Sequence, residues 1–195
     1  MYEILVGRTE VKSTNAVIPK SLYIALHNWL IEADYCNTSD ADFPEIYYWE
    51  ERSQHHGKEF FIWWRPEKAI EGNQFYVWKL VIDIHGVGMK PVEIMAQGKK
   101  VKAERGKIEI LMQAKLEVDT SGSWQNNKLL APFLEPFLKR IYRKEIEMHR
   151  KQILGDLKTM QDTIKQWFDI GAFALPKSIW WPAKGYQDEF FQQNQ

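Results

Sequence analysis

One stretch of strict alternation, followed by a change of period, constrains this chain more than any other feature of its sequence. From residue 107 to 119 apolar side chains alternate with polar ones, and Leu111 is the exception on the polar face. A period of two places one face of a strand on a core and the other in water. From about residue 129 to 168 the apolar residues recur at helical spacing, which predicts a long amphipathic helix. This helix can cover the apolar face of the sheet.

The residues before this strand predict an antiparallel meander. A helix is expected from 20 to 34, opened by Pro19. The other strands are predicted at residues 2 to 8, 45 to 52, 58 to 65, 74 to 85, 92 to 96 and 99 to 105. Gly86, Gly88 and Pro91 are expected to end the run at 74 to 85. The predicted fold class is therefore α+β, with an antiparallel sheet of about seven strands packed on a long C-terminal helix.

Three residues qualify the prediction of a single long helix. Pro132 fits a first helical turn, whereas Pro136 is expected to kink the helix or delay its start. Gly155 is a second weak point. Residues 1–170 are predicted to form one domain, and residues 171–195 form an aromatic tail. Docking of the tail on the domain, contact with a partner or in a homodimer, and contact with a membrane are the alternatives.

Composition excludes several classes of protein. Lys+Arg and Asp+Glu both number 26, and this zero net charge argues against a molecule that binds nucleic acid or an anionic membrane with its whole surface, while a local basic patch stays open. The single cysteine, Cys36, cannot form an internal disulfide or a Cys-rich zinc site, which favours a cytoplasmic location. The N-terminal sequence does not predict a secretory signal, and no run approaches the ~18 apolar residues of a spanning helix.

No motif predicts catalysis, a metal or a cofactor. Nucleotide-binding glycine loops, a nucleophile elbow and the metalloprotease motif are absent from the sequence. His55 and His56 are adjacent in a predicted turn, so their rings are expected to point apart. Asp83 and His85 share a strand face that could supply a general base, but that face is the one expected to lie in water. We therefore expect no catalytic residue, metal or cofactor, and the sequence leans against an enzyme.

Aromatic residues make up 14% of the chain, with 9 Trp, and they predict a bulky interior. Rings on a curved sheet are hard to pack to full density against one helix, so we expect an apolar pocket of several hundred Å³. Its opening is expected near Pro132 and Pro136, and the alternative is a solid aromatic core. The expected ligand-binding residues are Trp64, Tyr76, Trp78, Ile110, Met112, Phe137 and Ile141. Met148 is expected on the same helical stripe as Phe137.

The order strand, helix, strands, long helix resembles the helix-grip fold of the START-like superfamily, over about residues 1 to 168. Members of that superfamily bind lipids, sterols or other apolar molecules, or act as cochaperones or enzymes, so the resemblance implies a cavity between sheet and helix and does not imply a particular ligand. The predicted function is thus a binding module for a hydrophobic small molecule. The alternative is a protein- or nucleic-acid-interaction protein that uses the aromatic tail and the basic residues of the long helix, namely Lys139, Arg140, Arg143, Lys144, Arg150 and Lys151.

Overall fold

The structure is a computed structural model that describes residues 2–37, 42–70, 72–96, 99–124 and 126–170. Its elements, in chain order, are β1 (Tyr2–Ser13), β2 (Ala16–Val17), α1 (Pro19–Glu32), β3 (Glu45–Ser53), β4 (Gly57–Trp64), β5 (Glu67–Ile70), β6 (Asn73–Ala96), β7 (Lys99–Val118), α2 (Ala131–Arg140) and α3 (Arg143–Ile170). The tail at 171–195, for which the sequence predicts docking, lies outside the described residues.

The strands form one antiparallel sheet of seven strands in the order β1-β7-β6-β4-β3, with β2 paired to β7 and β5 paired to β6. The strands β3, β4, β6 and β7 follow one another as a meander, as short turns between consecutive strands predict. The first strand, β1, pairs with the last, β7, so β1 and β3 are the two edges of an open sheet. The predicted α+β class, with an antiparallel sheet and a C-terminal helix, is confirmed.

The central pair of strands is longer than predicted, because β6 has 24 residues and β7 has 20. Gly86, Gly88 and Pro91 do not end β6; the pairing with β7 instead shifts register between Val87 and Lys90. Such a bulge bends a strand without terminating it. A Cβ atom on Gly86 would lie 2.2 Å from the Phe60 ring, so this glycine serves close packing.

The sheet has an inner face that is buried and an outer face that meets water. The inner face consists of Phe60, Ile62, Trp64, Tyr76, Trp78, Leu80, Ile82, Ile84, Ile108, Ile110, Met112, Ala114, Leu116 and Val118. On the outer face Asp83 lies 2.8 Å from the guanidinium of Arg65, and His85 lies 3.0 Å from the carboxylate of Glu59. The alternation predicted from residue 107 to 119 therefore holds for the apolar face. The polar face is exposed or half-buried from Lys107 to Lys115, but it is fully buried at Glu117 and Asp119, which were expected in water.

Two helices cover the inner face. The helix α3 lies against β1 and β7, and its buried apolar stripe consists of Ile146, Ile153, Leu157, Met160, Ile164 and Trp167. The contact is close, because a Cβ atom on Gly7 would lie 2.9 Å from Leu154 Cδ1. The helix α1 buries Leu22, Leu26 and Leu30 in the same core.

The predicted helix from 129 to 168 is two helices, and the prediction placed the irregularity wrongly. Pro132 stands in the first turn of α2, as expected, but Pro136 lies inside α2 and does not delay it. The helix breaks at residues 141 and 142, where the amides of Ile141 and Tyr142 both donate to the carbonyl of Phe137. Gly155 lies within α3 without ending it. Among the described residues, no helix is long and apolar enough to cross a membrane.

Candidate functional site

Five of the seven residues predicted to bind a ligand lie on the inner face of the sheet. They are Trp64 on β4, Tyr76 and Trp78 on β6, and Ile110 and Met112 on β7, and all five are buried. Their positions follow from the period of two in the strands that carry them. Whether they contact a ligand stays a prediction, but the structure brings them into one core.

The two helical residues of the predicted set do not belong to this face. Phe137 is half-buried and packs its ring 4.5 Å from Trp124 and 4.9 Å from Tyr142, centroid to centroid. Ile141 is 66% exposed, and Met148 is exposed as well. The buried residues recur at helical spacing on both sides of the break, at Leu134, Leu138, Ile146, His149 and Ile153. Ile141 and Met148 lie off this buried stripe, so the prediction extended the wrong side of the helix from Phe137.

The inner face carries two tryptophan clusters with different chemistry. In the first, here the Trp64 cluster, the rings of Tyr23 and Phe43 each lie 4.9 Å from that of Trp64, edge to face. Trp64 Nε1 donates to Glu45 Oε2 at 3.0 Å, and Tyr23 Oη donates to the same oxygen at 3.0 Å. This cluster therefore has its buried polar groups paired within itself, as a structural core requires.

The second, here the Trp78 cluster, joins β6 to α3. The ring of His149 lies 4.6 Å from that of Tyr76 and 5.9 Å from that of Trp78. Tyr76 Oη donates to Glu145 Oε2 at 3.4 Å. Glu145 and His149 are four residues apart and so share a side of α3. This side is exposed at Glu145 and buried at His149, so the cluster runs from the surface into the interior.

Two nitrogen atoms of the Trp78 cluster are buried without a partner. Neither Trp78 Nε1 nor His149 Nδ1 has a hydrogen bond to any part of the chain that the structure describes. Trp78 is 8% exposed and His149 is 6% exposed. Leaving a buried polar group unpaired costs about 1–3 kcal/mol, and most native structures avoid it. The indole can only donate, whereas a neutral imidazole can donate or accept through this nitrogen.

Burial favours the neutral forms of two groups in the cluster, His149 and Tyr76. It lowers the pKa of His149 below its ordinary value, and the nearby Glu145 charge opposes that shift only in part. Burial and the Glu145 carboxylate raise the pKa of the Tyr76 phenol. At neutral pH these side chains therefore offer hydrogen bonds rather than charges.

A cation and a second phenol flank the Trp78 cluster. Lys68 Nζ lies 5.5 Å from the centroid of the Trp78 ring and 5.6 Å from that of Tyr35. The ammonium donates to the Ala33 carbonyl at 2.8 Å, which holds it in place. Tyr35 Oη donates to Asp156 Oδ2 at 2.9 Å, so the segment that follows α1 is tied to α3 beside the cluster. The cation favours an electron-rich or anionic group nearby.

The residues that the sequence singles out for catalytic or metal-binding chemistry lie outside both tryptophan clusters. Within the described ranges, no group of three His, Cys, Asp or Glu side chains could hold a metal ion. Burial raises the pKa of the Cys36 thiol to about 11, so it is protonated and a poor nucleophile at neutral pH. Asp83 and His85 lie on the outer face, where the His85 ring stacks on Phe61 at 4.0 Å.

The sequence interpretation missed Glu145, His149 and Asp156. Their spacing of four and seven residues places them on one side of a helix, beside the apolar stripe, and this was the available signal. The surrounding basic residues concealed this signal, because their charge pattern is typical of a solvated helix.

Comparisons with protein-family models, with curated proteins and with solved structures give no match to this chain. The helix-grip resemblance therefore stays a prediction.

Proposed function

We propose that this protein binds an apolar small molecule or lipid that carries one polar group, held between the inner face of the sheet and α3. The observation that supports this most is the pair of buried nitrogens, Trp78 Nε1 and His149 Nδ1, that have no partner in the described chain. In a core selected for stability alone, such nitrogen atoms would have hydrogen-bond partners, or apolar side chains would stand in place of these residues. A ligand that binds them would offset the cost of burying them.

The chemistry of the cluster restricts the polar group of the ligand. It must accept a hydrogen bond, because the Trp78 indole can only donate. A carboxylate, carbonyl or hydroxyl oxygen meets this requirement. The Lys68 ammonium, 5.5 Å from the Trp78 ring, favours a carboxylate over an uncharged group. Tyr76 and the aliphatic residues Ile110 and Met112 of the same face would contact the apolar portion.

The route into the site follows the side of α3 that bears Glu145. This residue is exposed, and it lies one turn from His149, which is buried. The break between α2 and α3 lies immediately before it, at residues 141 and 142. An entrance there agrees with the expected opening at the start of the long helix, although the irregularity is at the break and not at Pro136.

The test is binding of a long-chain fatty acid and of the matching alkane, each by displacement of an apolar fluorescent probe. Trp78→Phe removes the N–H group and keeps a buried ring. We expect it to weaken binding of the fatty acid about tenfold, the equivalent of one hydrogen bond, and to leave the alkane unchanged.

Trp63→Phe is the matched control, since Trp63 lies on the outer face beside Tyr47, with ring centroids 4.4 Å apart. It should bind both ligands as the native protein does. If the native protein binds no probe, and neither ligand binds to it, the proposal is wrong. Equal weakening of acid and alkane by Trp78→Phe would leave a purely apolar site and remove the role of the nitrogens.

A further inference from the structure

Apolar side chains are exposed together at one end of the molecule, around the junction of α2 and α3. Leu129 is 80% exposed and Phe133 is 64% exposed, and Leu130, Ile141 and Met148 are exposed as well. We call residues 128–151 the α2–α3 corner. Single exposed apolar residues are common on protein surfaces, but five within one short segment mark an interaction surface.

The α2–α3 corner also concentrates positive charge. It contains seven Lys or Arg residues and three Glu residues, although the whole chain has 26 of each sign. Arg140, Arg143, Lys144 and Arg150 are exposed there. Two of the three glutamates are already engaged, because Glu145 accepts from Tyr76 and Glu147 pairs with Arg143 at 3.0 Å. The corner is therefore basic on a molecule that is otherwise acidic.

The packing of α2 leaves these apolar residues facing water. The helix buries Leu134 and Leu138, which are four residues apart and mark its inward side. Phe133 and Ile141 lie off that side and are exposed. A short helix held by one side, with large apolar residues and arginine on the rest, matches segments that lie in a membrane interface.

We infer that the α2–α3 corner docks on the surface of an anionic lipid bilayer. Leu129, Phe133 and Ile141 would enter the boundary between headgroups and acyl chains, and the basic side chains would contact lipid phosphates. Nucleic acid fits the corner less well, because Leu and Ile cannot stack on bases as aromatic residues do. This inference depends on the exposed surface alone, so it stands or fails separately from the proposed ligand site.

The experiment is sedimentation of the native protein with vesicles of phosphatidylcholine, with and without phosphatidylserine. We expect binding to the vesicles that contain phosphatidylserine, and we expect salt to weaken it. Phe133→Ser should reduce the partition coefficient about tenfold through lost burial of the ring. Arg140→Glu combined with Lys144→Glu should remove the preference for phosphatidylserine. All three side chains are exposed, so a melting curve should show each variant folded.

Ile46→Ser is the matched control, because Ile46 is similarly exposed but lies on β3, away from the corner. It should sediment with vesicles as the native protein does. Three results would overturn the inference: no sedimentation at low salt, binding to a single-stranded oligonucleotide in place of vesicles, or a dimer that Phe133→Ser dissociates. The ligand site is tested by probe displacement in the absence of vesicles, and the α2–α3 corner is tested by sedimentation with vesicles. Failure of one proposal can therefore be distinguished from failure of the other.

Discussion

The Trp64 cluster and the Trp78 cluster occupy the same face of one sheet, and both tryptophans are buried. The clusters differ in how their polar atoms are paired. Trp64 Nε1 donates to Glu45, which also accepts from Tyr23. Trp78 Nε1 has no partner in the described residues, although His149 packs beside it. Burial alone therefore does not distinguish the two clusters. The pairing of their buried polar atoms does, because native interiors leave few such atoms unpaired.

The difference between the clusters originates in what covers each one. The Trp64 cluster is closed by α1 and β3. The carboxylate of Glu45 comes from an edge strand, where a register shift between Glu45 and Tyr47 pairs Glu45 with Trp64. The Trp78 cluster is covered by the side of α3 that carries Glu145 and His149. The helix α3 thus packs an apolar stripe on β1 and β7, and it places Glu145 and His149 beside the first residues of β6.

The largest expected effect tests the face that both clusters share. Met112 is buried at the middle of β7, whereas its neighbour Gln113 lies on the outer face. Met112→Asp should lower the free energy of unfolding by more than about 3 kcal/mol, because it buries an unpaired carboxylate. Gln113→Asp should change it by less than about 1 kcal/mol. Urea titration of both variants measures the difference, and similar midpoints would contradict the assignment of the faces.

This first contrast also shows what the sequence could predict. The period of two in β7 required only local information, so it located Met112 and Ile110 correctly. The apolar residues of the helical segment fit two stripes, one through Leu134, Leu138 and Ile146 and one through Phe137 and Ile141. Only packing on the sheet decides that the first is buried, so the local pattern misplaced Ile141. Likewise, local rules predict that Gly86 ends a strand. In the structure the strand continues, and the missing side chain leaves room for the ring of Phe60, which belongs to another strand.

The second prediction compares the same substitution in the two clusters. Trp64→Phe removes a donor from Glu45 and leaves part of that half-buried carboxylate unpaired, so it should cost about 2–4 kcal/mol including the lost ring volume. Trp78→Phe loses similar volume but removes an unpaired N–H group, so it should cost less by about 1–3 kcal/mol. Thermal and urea unfolding without ligand measure both.

Equal costs for Trp64→Phe and Trp78→Phe would contradict the distinction between a paired and an unpaired cluster. A larger cost at Trp78 would indicate that its nitrogen has a partner that matters for stability. Glu45→Gln sharpens the comparison, since it keeps an acceptor for Trp64 and Tyr23 and should cost less than Trp64→Phe.

The smallest effect concerns the proton of His149. Burial holds its pKa below the ordinary value of 6.5, and unfolding restores that value. Between the two pKa values the unfolded chain binds more protons than the folded chain, so stability is lost as the pH falls below about 6.5. One such group changes the slope by at most ~1.4 kcal/mol per pH unit. The Trp64 cluster borders a histidine as well, because the ring of His27 lies 4.3 Å from that of Phe43, so the contribution of His149 has to be isolated by substitution.

His149→Gln removes the titrating group and keeps a polar side chain of similar size. The free energy of unfolding, measured in urea between pH 7.5 and about pH 5, should fall less steeply for this variant than for the native protein. His56→Gln gives the background, because His56 is exposed in the turn between β3 and β4. Its profile should match the native one. Parallel native and His149→Gln profiles would show that His149 is as readily protonated in the folded state as in the unfolded chain. In that case the interior beside Trp78 is open to water, and the polar group of the proposed ligand would have to compete with solvent for both nitrogens.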